Sequence, residues 1–444
     1  MHKPLILFVI LHEISVLNAS FRLARDLENS GKEIRYVGLL DSEEIVRSNG
    51  YAYSPVFQEQ FPLGSATKLG FEDLSQLGFL RYIRVFPERL ALFRSFTEYL
   101  VAGGDGEFIE LLRGINPDII VFSGSPYIEW AMLMAYPLKK KAVYLHATFS
   151  PCENSGLPPA SSEIIPVGGS VLEKLRILLA WKRKKIVDKM KFAGFGSCTK
   201  RLADKYGLKT NIYRHDTGGY KKNVGITLPE LFAFPPEFDF SPVKVPGQYF
   251  IGPLVCHERR EPDFPWQKLD GSRPLIYCTF GTHVWFSHER YKHLYGIIMD
   301  TATCTQEWQW VITTGYAITP DEFDAIPENV VLVKMAPQAN LLKKANIMIS
   351  HGGTSTISEC IINGVPIIVL PMGDDQYGNA ARIAYHGIGV RGDIKKLSIP
   401  YLLNLIKIVD VSSYFRSQVK LMQEKFLEME VKKPGVKLIN SLLN

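Results

Sequence analysis

Ile347-Met348-Ile349-Ser350-His351-Gly352-Gly353-Thr354-Ser355-Thr356-Ile357-Ser358-Glu359 is the stretch that decides the fold. Ile347 to Ser350 reads as a short strand without polar alternation, the pattern of a strand covered on both faces. Two glycines follow, then hydroxyl residues that begin a helix. A strand, a glycine turn and a helix N-terminus form an anion site, because unpaired backbone N–H groups and the positive helix end converge there. Gly352 and Gly353 carry no side chain to keep a phosphate from the backbone. Ser355 and Thr356 add hydroxyl donors, and His351 an imidazole. The plainer reading is a helix capped by Thr354 or Ser355, with the glycines serving a tight turn.

The residues downstream favour the anion site. Gly364-Val365-Pro366 leads into a second buried strand, Pro366 to Leu370, followed by Pro371-Met372-Gly373-Asp374-Asp375-Gln376-Tyr377-Gly378-Asn379-Ala380-Ala381-Arg382. Asp375 and Gln376 are expected at the carboxyl end of that strand, where ligands of open α/β sheets sit. An acid beside an amide grips vicinal sugar hydroxyls by accepting and donating together.

Working outward, the same alternation recurs. Strands are expected at 275–280, 310–313 and 330–334 on the near side. Farther back they are expected at 5–10, 34–38, 119–122 and 142–145, with helices between, as parallel sheets covered on both faces require. Prolines 229, 235, 236, 242 and 246 punctuate a stretch without periodicity, which places a linker near residue 240. The expected architecture is α/β, with two Rossmann-like doubly wound domains, 1–240 and 241–410, facing across a cleft. Two helical segments from about 399 to 444 close the chain, with 411–444 packing back on the first domain.

A chain of 444 residues exceeds one hydrophobic core, and 46% apolar with 22% charged residues is the composition of a globular protein, not a disordered one. A net charge of +6 without base-stacking aromatics interleaved is no case for a nucleic-acid partner. The six cysteines (152, 198, 256, 278, 304 and 360) form no C-x-x-C pair, which fits a reducing cytoplasm and offers no zinc or redox motif. The apolar run after Met1 meets His12 and Glu13 at once and reads as a first strand, not a targeting segment. The basic helix 171–190 is open to three uses: a solvated charged face, a cover over an apolar acceptor, or a peripheral membrane contact. Phe57, Phe61, Phe71, Phe79 and Tyr82 are candidates for an acceptor pocket, with core packing the more frequent role of such residues.

The block from Met335 to Arg382 resembles the donor-binding motif of the UDP-glycosyltransferases, family 1 glycosyltransferases of GT-B fold, and among them bacterial macrolide and zeaxanthin glycosyltransferases. Gln338 after Pro337, His351-Gly352-Gly353, Glu359, Gly364-Val365-Pro366, Asp375-Gln376 and Asn379-Ala380 match in order and spacing. Gly252-Pro253-Leu254 and Phe280-Gly281-Thr282 match two further landmarks. The resemblance spans most of the chain, most weakly at 45–110 and 150–240.

That resemblance implies roles. His351, Ser355, Thr356, Thr282 and the Gly353 backbone would bind the diphosphate, and Glu359 the ribose. Asp375 and Gln376 would hold the sugar, and Gln338 with the backbone near Ala336 would contact the base. It also implies an inverting, metal-free transfer of a hexose, glucose foremost, from a UDP-sugar to a hydroxyl of a lipophilic small molecule. Neither a cofactor nor a metal is expected.

Three positions depart from the pattern. Met335 stands where the base-stacking tryptophan is usual, which leaves dTDP open beside UDP. Val16 stands at the position of the catalytic histidine, and Ser123 at that of its orienting aspartate. His12, His146 and Glu13 are the candidate replacements for the base. The alternatives to a transferase are a nucleotide-sugar-binding auxiliary protein or an epimerase of the same fold.

Overall fold

The computed structural model describes residues 3–65, 79–124, 128–149, 156–191, 194–208, 226, 228–240, 245–281 and 285–444. Two parallel sheets organise them. The first comprises β1 (Leu5–Ile10), β2 (Glu33–Gly38), β3 (Ala52–Pro55), β4 (Ile119–Ser123), β5 (Lys141–His146), β6 (Glu230–Phe232) and β7 (Gln248–Phe250), in the order β3-β2-β1-β4-β5-β6-β7. The second comprises β8 (Leu275–Thr279), β9 (Gln309–Thr313), β10 (Val330–Val333), β11 (Ile347–Ser350), β12 (Ile367–Val369) and β13 (Gly389–Arg391), in the order β10-β9-β8-β11-β12-β13. Every pairing is parallel. This is the expected pair of doubly wound α/β domains, the GT-B arrangement.

The central strands explain why unbroken apolar runs were needed. Leu7 and Val9 of β1 enter one core, while Ile6, Phe8 and Ile10 enter another on the opposite face. In β11, Met348 joins one core and Ile347 with Ile349 the other. Successive side chains point to opposite faces, so a strand with helices on both sides must be apolar at every position.

Two expectations need correction. The proline-rich stretch near 240 is not a bare linker: β6 and β7 lie in and beyond it, and the first sheet runs on to Phe250. Each of these strands has three residues, too short to show a period; β7 is the edge strand, and Pro229 stands just before β6, where its missing N–H costs the ladder nothing. The C-terminal region holds three helices, Ile399–Val411, Ser413–Lys432 and Pro434–Leu443, not two. Lys433, in a left-handed conformation at φ 45°, breaks the last two apart, with Pro434 starting the final one.

These helices clasp the domains. Val419, Met422 and Phe426 pack in the second domain's core, and Ile439 in the first domain's. Arg22 pairs with Glu430 at 3.2 Å and Lys433 with Asp26 at 2.7 Å. On the other side of the clasp, the buried Arg382 binds Asp239 at 2.7 Å, its guanidinium lying over the rings of Phe149 and Phe240.

Candidate active site

Strand order reverses between β8 and β11, and the glycine turn lies at that reversal. β8 is followed by Gly281 at φ 79°, β11 by Gly352 at φ 89°. A Cβ at Gly281 would come within 2.7 Å of the His351 ring, and one at Gly353 equally close. The buried imidazole is therefore slotted between two backbones that only glycine leaves open. Ser350, wholly buried, accepts from the Gly352 N–H at 3.2 Å and lies 3.4 Å from His351 Nδ1.

The Thr354–Ile362 helix starts on Gly353, with no side-chain cap and no acid in its first turn. No side chain of its N-cap residue satisfies the first-turn N–H groups, and a helix dipole favours an anion at such an end. Ser355 is half-buried and Thr356 buried in this turn. Thr282 lies outside the described residues.

The two motifs of the key block meet. Thr354 donates to Asp375 at 2.9 Å, and Asn379 bridges them by donating to the Gly352 carbonyl at 2.9 Å and to Asp375 at 3.2 Å. Loss of hydration holds the Asp375 carboxyl above the ordinary range; Thr354 opposes this and neighbouring Asp374 adds to it. Gln376 is buried, its side-chain oxygen accepting from Met372 and Gly373 N–H at 2.8 and 3.1 Å.

On the other side of the turn, Gln338 donates to Glu359 at 2.7 Å and lies 3.5 Å from the Tyr277 hydroxyl. Met335 is partly exposed and Ala336 buried, both just before Gln338. Sequence reasoning missed the strongest partner here. Arg259 grips Glu359 with two nitrogens, at 2.5 and 3.1 Å, and reaches Glu261 at 3.5 Å. Burial pulls the guanidinium down, but Glu359 and Glu261 outweigh it and hold it above its usual value. Arg259 sits in a charged run, His257-Glu258-Arg259-Arg260-Glu261, with no periodicity to single it out.

The base candidates line the first sheet's carboxyl end, at its own reversal between β1 and β4. His12 Nδ1 pairs with the buried Ser42 hydroxyl at 2.8 Å. Glu13 occupies the N-cap position of the Ile14–Asn29 helix without a side-chain capping bond, and its carboxylate lies 3.7 Å from where a Gly124 Cβ would be. His146 is elsewhere: two strands from β1, buried, its ring stacked on Phe232 at 4.5 Å and 3.9 Å from Glu230. Val16 is core, and the Ser123 hydroxyl donates to the Leu145 carbonyl at 2.6 Å. Phe57 and Phe61 are core as well. Phe71 and the side chains of Phe79 and Tyr82 lie outside what is described.

Among the described residues no cluster of three or more His, Cys, Asp or Glu is placed to hold a metal. No described helix is long and apolar enough to cross a membrane.

The family model described as "UDP-glucoronosyl and UDP-glucosyl transferase" matches residues 192–424, just over half of the chain. The NDP-glycosyltransferase YjiC of Bacillus subtilis (strain 168) is 29% identical over 40% of this chain, a match spanning only 44% of that protein's length. The 4'-demethylrebeccamycin synthase of Lentzea aerocolonigenes is 21% identical over 96% of both chains. Among solved structures, a glycotransferase of kitacinnamycin superposes over the whole of both chains with a TM-score of 0.72 at 16% identity, a likeness of fold.

Proposed function

Since this chain belongs to the UDP-glucuronosyl and UDP-glucosyl transferase family, we propose that it is an inverting glycosyltransferase. On this reading it moves a hexose, glucose foremost, from a UDP-sugar to a hydroxyl of a lipophilic small molecule. The observation that carries the reading is the Thr354–Asp375 hydrogen bond, 2.9 Å, which joins an uncapped helix N-terminus to the Asp375 carboxylate.

The diphosphate lies against His351, the Gly353 backbone, Ser355 and Thr356, with Thr282 as a further hydroxyl donor. Asp375 accepts from the sugar hydroxyls and the Gln376 amide donates to them. Met335, the Ala336 backbone and Gln338 meet the base. Glu359 serves the ribose, and Arg259 pairs with that buried carboxylate, since a buried charge needs a partner.

The acceptor oxygen attacks the anomeric carbon as the bond to the diphosphate oxygen breaks on the opposite face. The acceptor proton goes to His12, whose Nδ1 is held by the Ser42 hydroxyl. UDP leaves with its negative charge stabilised by fixed N–H donors and the helix dipole. His12→Phe is expected to lower kcat by about 10²-fold or more with donor KM little changed; an unchanged kcat removes His12.

The departures at Val16 and Ser123 favour one second reading, a nucleotide-sugar-binding auxiliary protein. UDP release from UDP-glucose across a panel of aglycones separates them. Acceptor-dependent release is expected; tight UDP-sugar binding without release for any acceptor supports the auxiliary protein.

A further inference from the structure

The Val171–Lys191 helix already has an inner face. Ile177 and Trp181 are buried, and the Trp181 indole donates to the Leu157 carbonyl at 2.9 Å. A surface helix seated by one apolar stripe is ordinarily polar elsewhere. Here Leu172, Leu175, Leu179, Ile186 and Met190 are each about half exposed or more. At 3.6 residues per turn these five fall within an arc of about 60°, on the side away from Ile177 and Trp181. The helix therefore carries a second apolar stripe, pointing outward.

Cations border that stripe. Arg176 and Arg183 lie along one edge, Lys182, Lys185 and Lys189 along the other. Residues 171–191 hold eight Lys and Arg against two acids, a net +6, which equals the formal net charge of the whole chain. The rest of the molecule is electrically balanced. Its positive charge is gathered on this one helix.

We propose that the Val171–Lys191 helix is a docking surface for an anionic lipid membrane. It lies flat, with Leu172, Leu175, Leu179, Ile186 and Met190 in the acyl boundary and the flanking cations among acidic headgroups. Charge complementarity selects this occupant. A second copy would set two net +6 helices face to face, whereas an anionic bilayer meets the apolar stripe and both cationic edges at once. The inference does not depend on the transferase reading, but the two fit. The Ala160 carbonyl, three residues beyond the Leu157 acceptor, packs on Gly378, where even a Cβ would approach it to 1.7 Å. Gly378 is two residues past Gln376, so the docking helix is tied to the wall of the donor site, where a membrane-dissolved acceptor would be delivered.

The test is flotation of the full chain with vesicles of phosphatidylglycerol or of phosphatidylcholine. At least about tenfold more protein is expected on the anionic vesicles, declining as salt is raised. Leu175→Asp/Leu179→Asp/Ile186→Asp, all at exposed positions, is expected to abolish flotation while thermal midpoint and UDP binding stay unchanged. Lys182→Glu/Arg183→Glu/Lys189→Glu is expected to remove the preference for phosphatidylglycerol. No flotation of the native chain on either vesicle, or flotation that survives the triple Asp substitution, overturns the proposal. So does a native chain that stays in the aqueous phase as an oligomer while the triple Asp variant is monomeric, which assigns the stripe to protein.

Discussion

Asp375 and Arg259 show how single groups are set by their neighbours. On the proposed reading Asp375 accepts from sugar hydroxyls most strongly when ionised, and its folded pKa is raised by burial. It therefore takes up a proton at a pH above the ordinary aspartate value of about 3.9, and sugar binding weakens as pH falls through the raised value. Stability runs the other way. The folded state prefers the protonated form, so that contribution is full below the ordinary pKa and is lost as pH rises through the folded one. Donor KM against pH is expected to climb on the acid side, and Asp375→Asn to flatten the climb while raising KM by about tenfold. Arg259 was not legible in the sequence because its use depends on Glu359, a hundred positions away. Arg259→Met leaves Glu359 buried and uncompensated, and is expected to weaken UDP binding by about tenfold or more in calorimetry; unchanged affinity removes Glu359 from the ribose.

The elements were legible where physics writes them locally. β11 occupies the predicted 347–350, and the Ile14–Asn29 helix falls between the predicted strands 5–10 and 34–38. β3, β6, β7 and β13 went unread, since strands of three or four residues at or near a sheet edge carry no period and take their shape from pairing. The turn after β11 was readable as an anion site from Gly352-Gly353, but the reason Gly281 is needed was not: its neighbour is His351, seventy residues on. Gly281→Ala places a methyl against that imidazole in a left-handed backbone. UDP affinity is expected to fall at least about tenfold, with a drop of a few degrees in Tm; wild-type affinity would mean that the histidine's position is immaterial.

At the scale of the molecule, each sheet offers a crevice where its strand order reverses, one lined by His12 and Glu13, the other by His351 and Asp375. The alternation of strands and helices made two such domains predictable. The clasp holding them was only partly so, because Arg382–Asp239 and Arg22–Glu430 join residues from distant parts of the chain. The claim on which the rest depends is that a departing pyrophosphate sits on the turn from Ser350 into the Thr354–Ile362 helix. The position of UDP in a co-crystal measures this directly. Diphosphate oxygens within about 3.2 Å of His351 and of the first-turn N–H groups are predicted; UDP bound away from this turn would contradict the account.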